Sequence, residues 1–114
     1  MLLSGFDENE PVQLGLRWEM LVWVIYDISE NRIRSRVAKI CKGYGLFRVQ
    51  KSAFLGDLNR NESDSLALEC EAIIDSSDSV YVFPVCEDCF GKIKLIGEGF
   101  DRELVSGMVI TKVF

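Results

Sequence analysis

The sequence predicts an α+β fold, a four-stranded antiparallel sheet with two helices on one face, built in the order βαββαβ. Three stretches carry that expectation. Residues 20–28 (MLVWVIYDI) hold seven consecutive apolar residues ending at Tyr26, followed by one carboxylate, Asp27. Residues 31–42 space Ile33, Val37, Ile40 and Cys41 as one helical stripe, and residues 79–85 (SVYVFPV) form a second β-branched and aromatic run.

The first run is rich enough in β-branched and aromatic side chains to read as a central strand buried on both faces. Asp27 stands where that strand leaves the sheet. There it is either a turn or capping residue or a group presented to a ligand. The helix that follows buries Ile33, Val37, Ile40, Cys41 and Tyr44, groups Arg32, Arg36 and Lys39 on one flank, and points Arg34 and Lys42 in other outward directions. Ser29 is its expected N-cap and Gly43 or Gly45 its stop. Residues 46–58 (LFRVQKSAFLGDL) are long enough for two short strands, with Gln50, Lys51 and Ser52 as a tight turn or bulge between them. Residues 59–63 supply cap chemistry for a second helix that ends at Asp75 and buries Leu66, Ala67, Cys70, Ile73 and Ile74. Glu62 and Asp64 in its first turn suit the positive end of the helix dipole. Pro84 confines the last run to an edge or a terminus of the sheet.

That order is the split βαβ arrangement of a ferredoxin-like domain. Its second sheet face is apolar and needs a cover, and the readiest one for a short chain is another copy, so a sheet-to-sheet homodimer is expected. Residues 92–96 and 107–113 read as extra C-terminal strands able to extend a partner's sheet. The chain divides into a flexible N-terminal extension (1–19, with Met20 a candidate natural start), the ferredoxin-like domain (20–97) and a C-terminal strand or tail (98–114).

Composition narrows the function. A chain of 114 residues with 48% hydrophobic content is one domain with a proper core. No apolar run approaches the roughly 20 residues of a membrane span, and the start lacks a signal peptide's basic flank and apolar core, so a cytoplasmic protein with no membrane partner is expected. Cys41 and Cys70 fall on apolar helix positions and read as reduced core residues. The 13 basic against 18 acidic side chains argue against a generic nucleic-acid binder, but their distribution does not. Between Asn31 and Lys51 lie seven basic residues (Arg32, Arg34, Arg36, Lys39, Lys42, Arg48, Lys51) and no acidic one, a +7 segment in a chain of net −5. Segregated charge of this kind makes either an anion-facing patch or a set of solvated faces.

The ordered combination VWVIYDIS, KGYGLFRVQKSAFLGDL and DSVYVFPVCEDC closely resembles the CRISPR-associated Cas2 family, over about residues 20–97. The resemblance implies the small ferredoxin-like subunit of the spacer-acquisition machinery, a symmetric dimer whose sheet faces meet. In it Asp27 of both chains would approach across the two-fold axis and hold one Mg²⁺. It further implies a metal-dependent endonuclease of RNA or double-stranded DNA, or a non-catalytic bridge between dimers of the CRISPR integrase subunit. Carried over residue by residue, Tyr26 and Asp27 match the strand-end catalytic pair, Ser29 the hydroxyl position beyond it, and Phe54 the aromatic position of the RVQxSxF strand. Arg32, Arg34, Arg36 and Lys39 fall in the helix that often carries nucleic-acid-binding residues. The 19 residues before Met20 and the acidity of the chain depart from the family pattern.

The residue inventory constrains the chemistry independently. The chain has no histidine, which removes His-pair ribonuclease chemistry, Ser-His-Asp and Cys-His hydrolases and His-ligated zinc. Phosphodiester cleavage would then run most economically through a carboxylate-bound hard metal. One Asp per chain is a poor site for it, and two related by symmetry are an adequate one. Cys86 and Cys89 form a single CxxC, which cannot complete a four-ligand zinc site from one chain, though two chains could supply four thiolates. Because this unit follows a strand and is not expected to open a helix, it reads as a strand-end turn with two ordinary thiols rather than a redox motif. A ferredoxin-like regulatory domain with a small ligand between subunits is a third reading, disfavoured by the absence of a glycine-rich ligand loop.

Overall fold

The computed structural model describes residues 20–105. The expected extension over residues 1–19 and the strand expected over residues 107–113 lie outside them. In chain order the elements are β1 (Met20–Asp27), α1 (Asn31–Gly43), β2 (Phe47–Gln50), β3 (Ala53–Leu58), α2 (Arg60–Glu71), β4 (Ser79–Val85) and a short α3 (Glu87–Phe90). The sheet is four-stranded in the order β2-β3-β1-β4, with every neighbouring pair antiparallel. This is the expected α+β, ferredoxin-like architecture. The most apolar strand is central, and Pro84, which has no N–H to give a ladder, lies on an edge strand. A bulge between Arg48 and Gln50 accompanies the tight turn into β3.

Strand alternation sorts the core into two clusters. Val22, Val24 and Tyr26 of β1 point to the helices, where they pack with Phe54, with Ile33, Val37 and Cys41 of α1, and with Leu66 and Cys70 of α2. Cys41 and Cys70 are free, buried thiols, as the sequence implied. Burial pushes the first up to about 12 and the second up to about 11. Leu21 and Trp23 point to the other face and pack with Val49, Ala53 and Leu55.

That second face is not left wholly bare for another copy to cover, as the chain itself supplies part of the cover. The chain's own residues 86–105 fold back across it. Phe90 is 2% exposed, Val105 5%, and Ile93, Leu95 and Leu104 pack beside them. The Phe90 ring lies 6.4 Å from that of Trp23. The Asp101 N–H donates to the Val49 carbonyl at 2.7 Å, and the Asp101 carboxylate accepts from the Leu104 N–H at 3.0 Å, capping a helical turn over residues 102–105. Residues 92–96, expected as a further strand, run as irregular chain within this strap. Their alternation serves burial on the sheet face rather than pairing at an edge.

The helix ends also differ in detail. α1 takes Glu30 as N-cap, with no side-chain capping bond, instead of Ser29. Arg34 does the tethering instead, donating to the carbonyls of Ile28 at 2.7 Å and Ser29 at 2.9 Å and to the Asn31 side chain. α2 opens on a full capping box between Asn59 and Glu62. It stops at Glu71, short of the expected Asp75, with Ile73 and Ile74 still packed on the core from the loop. Contrary to expectation, the CEDC segment does open a helix, α3, although a single turn of one.

Candidate functional site

The β2–β3 turn brings the acid-free segment together in space. A depression of 670 Å³ lies between α1 and the β2–β3 hairpin, and all seven basic residues between Asn31 and Lys51 line it. Arg32, Arg34, Arg36, Lys39 and Lys42 come from the helix, Arg48 from β2 and Lys51 from the turn. Asn31, Ser35, Ala38 and Ser52 complete the lining, and no carboxylate belongs to it among the described residues. Glu30 stands 3.9 Å from Arg32 at its margin, and both side chains are largely exposed, so this ion pair neutralises little. Seven like charges around one concavity raise the local anion concentration and favour a polyanion's phosphates over any neutral ligand.

Two residues form the wall behind Arg48. Its guanidinium donates to the Tyr26 hydroxyl at 3.2 Å and lies over the Phe54 ring, 5.2 Å from the centroid. Tyr26 and Phe54 in turn stack at 6.3 Å. Phe54 is fully buried and Tyr26 3% exposed, so these two aromatics form an internal platform that fixes Arg48, with no face open for a base to stack on. Arg48, Lys42 and Lys51 were visible in the sequence only as part of the charge count. The one signal that could have placed them is that the acid-free run continues across a helix, a strand and a turn.

Asp27 is elsewhere. It is exposed at the end of β1, opposite Ser79 of β4, on the helix-free face that also carries Trp23 and Ile25. Strand alternation therefore sends Tyr26 and Asp27 to opposite sides of the sheet, and within one chain the two do not converge. Beside Asp27 the same face exposes a stripe made of Ile25, Tyr81 directly opposite it, and Phe83. Ser29 is exposed, and its N–H donates to the Asp78 carboxylate at 3.4 Å. Asp78 also accepts from the Asp75 N–H at 3.1 Å, which commits this neighbouring carboxylate to bracing the loops.

Among the described residues no group of three or more Asp, Glu, Cys or His is placed to hold a metal. Mg²⁺ commonly takes only one or two protein carboxylates and keeps several waters, so the exposed Asp27 carboxylate has the donor chemistry that ion takes.

The family model for CRISPR associated protein Cas2 matches residues 20–93. The CRISPR-associated endoribonuclease Cas2 1 of Archaeoglobus fulgidus is 42% identical over 71 residues, covering 61% of this chain and 76% of that protein. A CRISPR-associated endonuclease Cas1/endonuclease Cas2 fusion of Thermoproteus tenax is 54% identical over 39 residues, covering 34% of this chain and 15% of the fusion. The crystal structure of Streptococcus pyogenes Cas2 at pH 6.5 is similar with a TM-score of 0.59 and 27% identity, covering 68% of this chain and 100% of that one.

Proposed function

The chain belongs to the CRISPR-associated Cas2 family, and from that premise we propose that it serves CRISPR spacer acquisition as a homodimeric subunit that grips nucleic acid through its basic groove. The observation that carries this reading is the convergence of seven basic side chains, drawn from a helix, a strand and a turn, on one concavity without a lining carboxylate. A net acidic chain gains nothing for its own solubility from such segregation. It gains a phosphate-binding track. The Thermoproteus fusion supports a Cas1-type integrase subunit as the partner, since its name joins the two activities in one chain.

The helix-free face favours the homodimer. Ile25, Tyr81 and Phe83 are exposed there in adjacent strands, beyond the part of the face that the strap covers. Pairing through this stripe would bring two Asp27 carboxylates toward one another. On that arrangement rests the enzymatic reading, an endonuclease of RNA or double-stranded DNA with one Mg²⁺ held by Asp27 from each chain. The name of the Archaeoglobus relative, an endoribonuclease, supports it. Such an ion would polarise the scissile phosphate and lower the pKa of a bound water. The protein's own contribution is to hold substrate backbone by Arg32, Arg36, Lys39 and Arg48, with Arg48 positioned by Tyr26 and Phe54 and the loop after Asp27 tied down by Arg34.

The bridge and the nuclease separate in one experiment. Labelled single-stranded RNA and double-stranded DNA are incubated with wild-type and Asp27→Asn protein, with and without Mg²⁺, across a pH series. Metal-dependent cutting that the substitution abolishes establishes the paired-carboxylate enzyme and its polymer. Tight binding by both proteins with cutting by neither leaves the bridging subunit alone.

A further inference from the structure

The strap over the helix-free face begins at the two cysteines that no part of the proposed function uses. Cys86 follows the last residue of β4, and its carbonyl accepts from the Phe90 N–H at 2.8 Å, so it is the capping residue of α3. Its sulfur accepts from the Cys89 N–H at 3.3 Å, the role an Asn or Ser oxygen normally fills. Both thiols are free and exposed. A helical turn places residues three apart at a Cα separation of about 5 Å, inside the range a disulfide spans. The next residue, Phe90, is the strap's main anchor on Trp23.

We propose that Cys86 and Cys89 are a redox-active dithiol that exchanges with small-molecule disulfides and, when closed, latches the strap of residues 86–105 onto the sheet. Cys86 is the attacking sulfur. The Cys89 N–H and S–H stabilise its thiolate and hold it below the ordinary thiol range, while the same contact pushes Cys89 up. The Cys86 thiolate attacks one sulfur of the small disulfide, whose S–S bond breaks and releases one thiolate. Cys89 then gives up its proton and attacks the Cys86 sulfur of the mixed disulfide, expelling the second thiolate. The protein loses two electrons and two protons, and the oxidant leaves as two thiols. Closure removes the rotational freedom of the turn that carries Phe90, so the strap's opening becomes rarer. The buried Cys41 and Cys70 take no part, which makes them internal controls.

The test uses the full chain equilibrated in glutathione buffers of increasing oxidised fraction, quenched in acid, alkylated and weighed. The expected result is concerted loss of two of the four alkylatable thiols, an alkylated mass lower than that of the reduced protein by two alkyl groups, and a cross-link mapping to the peptide that holds residues 86 and 89. Amide hydrogen exchange over residues 91–105 should then be several-fold slower in the oxidised protein. Cys89→Ser should stop at a stable glutathione adduct on Cys86. Cys86→Ser keeps an oxygen to cap the turn and should form no internal disulfide. Independent adducts on both cysteines of the wild type would overturn the proposal, as would an internal disulfide that leaves the strap's exchange unchanged.

Discussion

Tyr26 and Asp27 are consecutive in β1, yet the Tyr26 ring is buried against the helices with its hydroxyl accepting from Arg48, and Asp27 is exposed on the opposite face. Their substitutions should therefore have different signatures. Tyr26→Phe loses one partly buried hydrogen bond, about 1 kcal/mol of stability, and frees Arg48. Substrate affinity should fall, raising KM, with kcat little changed. Asp27→Asn should remove kcat and leave the unfolding midpoint in place. A Tyr26→Phe enzyme with normal KM and depressed kcat would mean that the hydroxyl acts on the reacting atoms after all.

The arginines of α1 divide in the same way. Arg36 is exposed in the groove, and none of its described contacts ties it to the fold, whereas Arg34 is held by two loop carbonyls and Asn31. Arg36→Ala should weaken duplex binding and reduce the slope of log K against log salt by about 0.9, the value for one lost phosphate contact. Arg34→Ala should cost about 1 kcal/mol of stability through the loosened β1–α1 loop. Filter binding over a salt series reads the first and urea unfolding the second. An unchanged salt slope for Arg36→Ala shows that its side chain meets no phosphate.

Much of this was legible because local rules acted alone. The β1 run, the cap chemistry at the start of α2 and the edge position of Pro84 each follow from a few neighbouring residues. Three things were not. Residues 92–96 alternate like a strand, and alternation cannot say whether a segment finds a sheet edge or lies flat on a sheet face. α3 is one turn long, shorter than any period that could announce it. The platform under Arg48 depends on Tyr26, Arg48 and Phe54 meeting across three strands, a coincidence of register that no single window contains.

The exposed stripe on the helix-free face yields a test of assembly. Tyr81 is 60% exposed and Ile25, opposite it, 38%. Sedimentation at micromolar concentration should give a mass of two chains for the wild type and one chain for Tyr81→Glu, whose carboxylate cannot be buried unpaired in an apolar interface. Metal-dependent cleavage should disappear with the dimer, because each chain supplies a single Asp27. A one-chain mass for the wild type would defeat the paired site.

Gly56 is fixed by space rather than by backbone angle. A Cβ there would stand 2.8 Å from Leu46 Cδ2 and 3.2 Å from Leu46 Cα, and the second contact is to backbone that cannot rotate away. Gly56→Ala should destabilise the protein by about 1–3 kcal/mol. Gly43→Ala, at the end of α1 with nothing within 4 Å, should be neutral or stabilising by up to about 0.5 kcal/mol. Equal urea midpoints for the two variants would show that Leu46 and its loop yield freely.

Cys41 gives the stability a sign in alkali. In the unfolded chain a thiol titrates near 8.5, roughly, while burial in the fold raises Cys41 to about 12. Its contribution is fully present below the unfolded value. Above it the unfolded chain binds fewer protons than the native one, so stability falls as the pH climbs toward the native value. Cys41→Ala lacks this titration but leaves a small cavity, so it should be the less stable protein at pH 7. Raising the pH to 10 penalises only the wild type among these two at this position, and the other titrating groups cancel in the comparison. The gap between the two proteins should therefore narrow by roughly 2 kcal/mol, the limiting slope of about 1.4 kcal/mol per pH unit acting over the roughly 1.5 units between the unfolded value and pH 10. Urea unfolding of both at the two pH values measures it. A gap independent of pH would mean that the Cys41 thiol ionises in the native protein as easily as in the unfolded chain, and that α1 does not seal it from water.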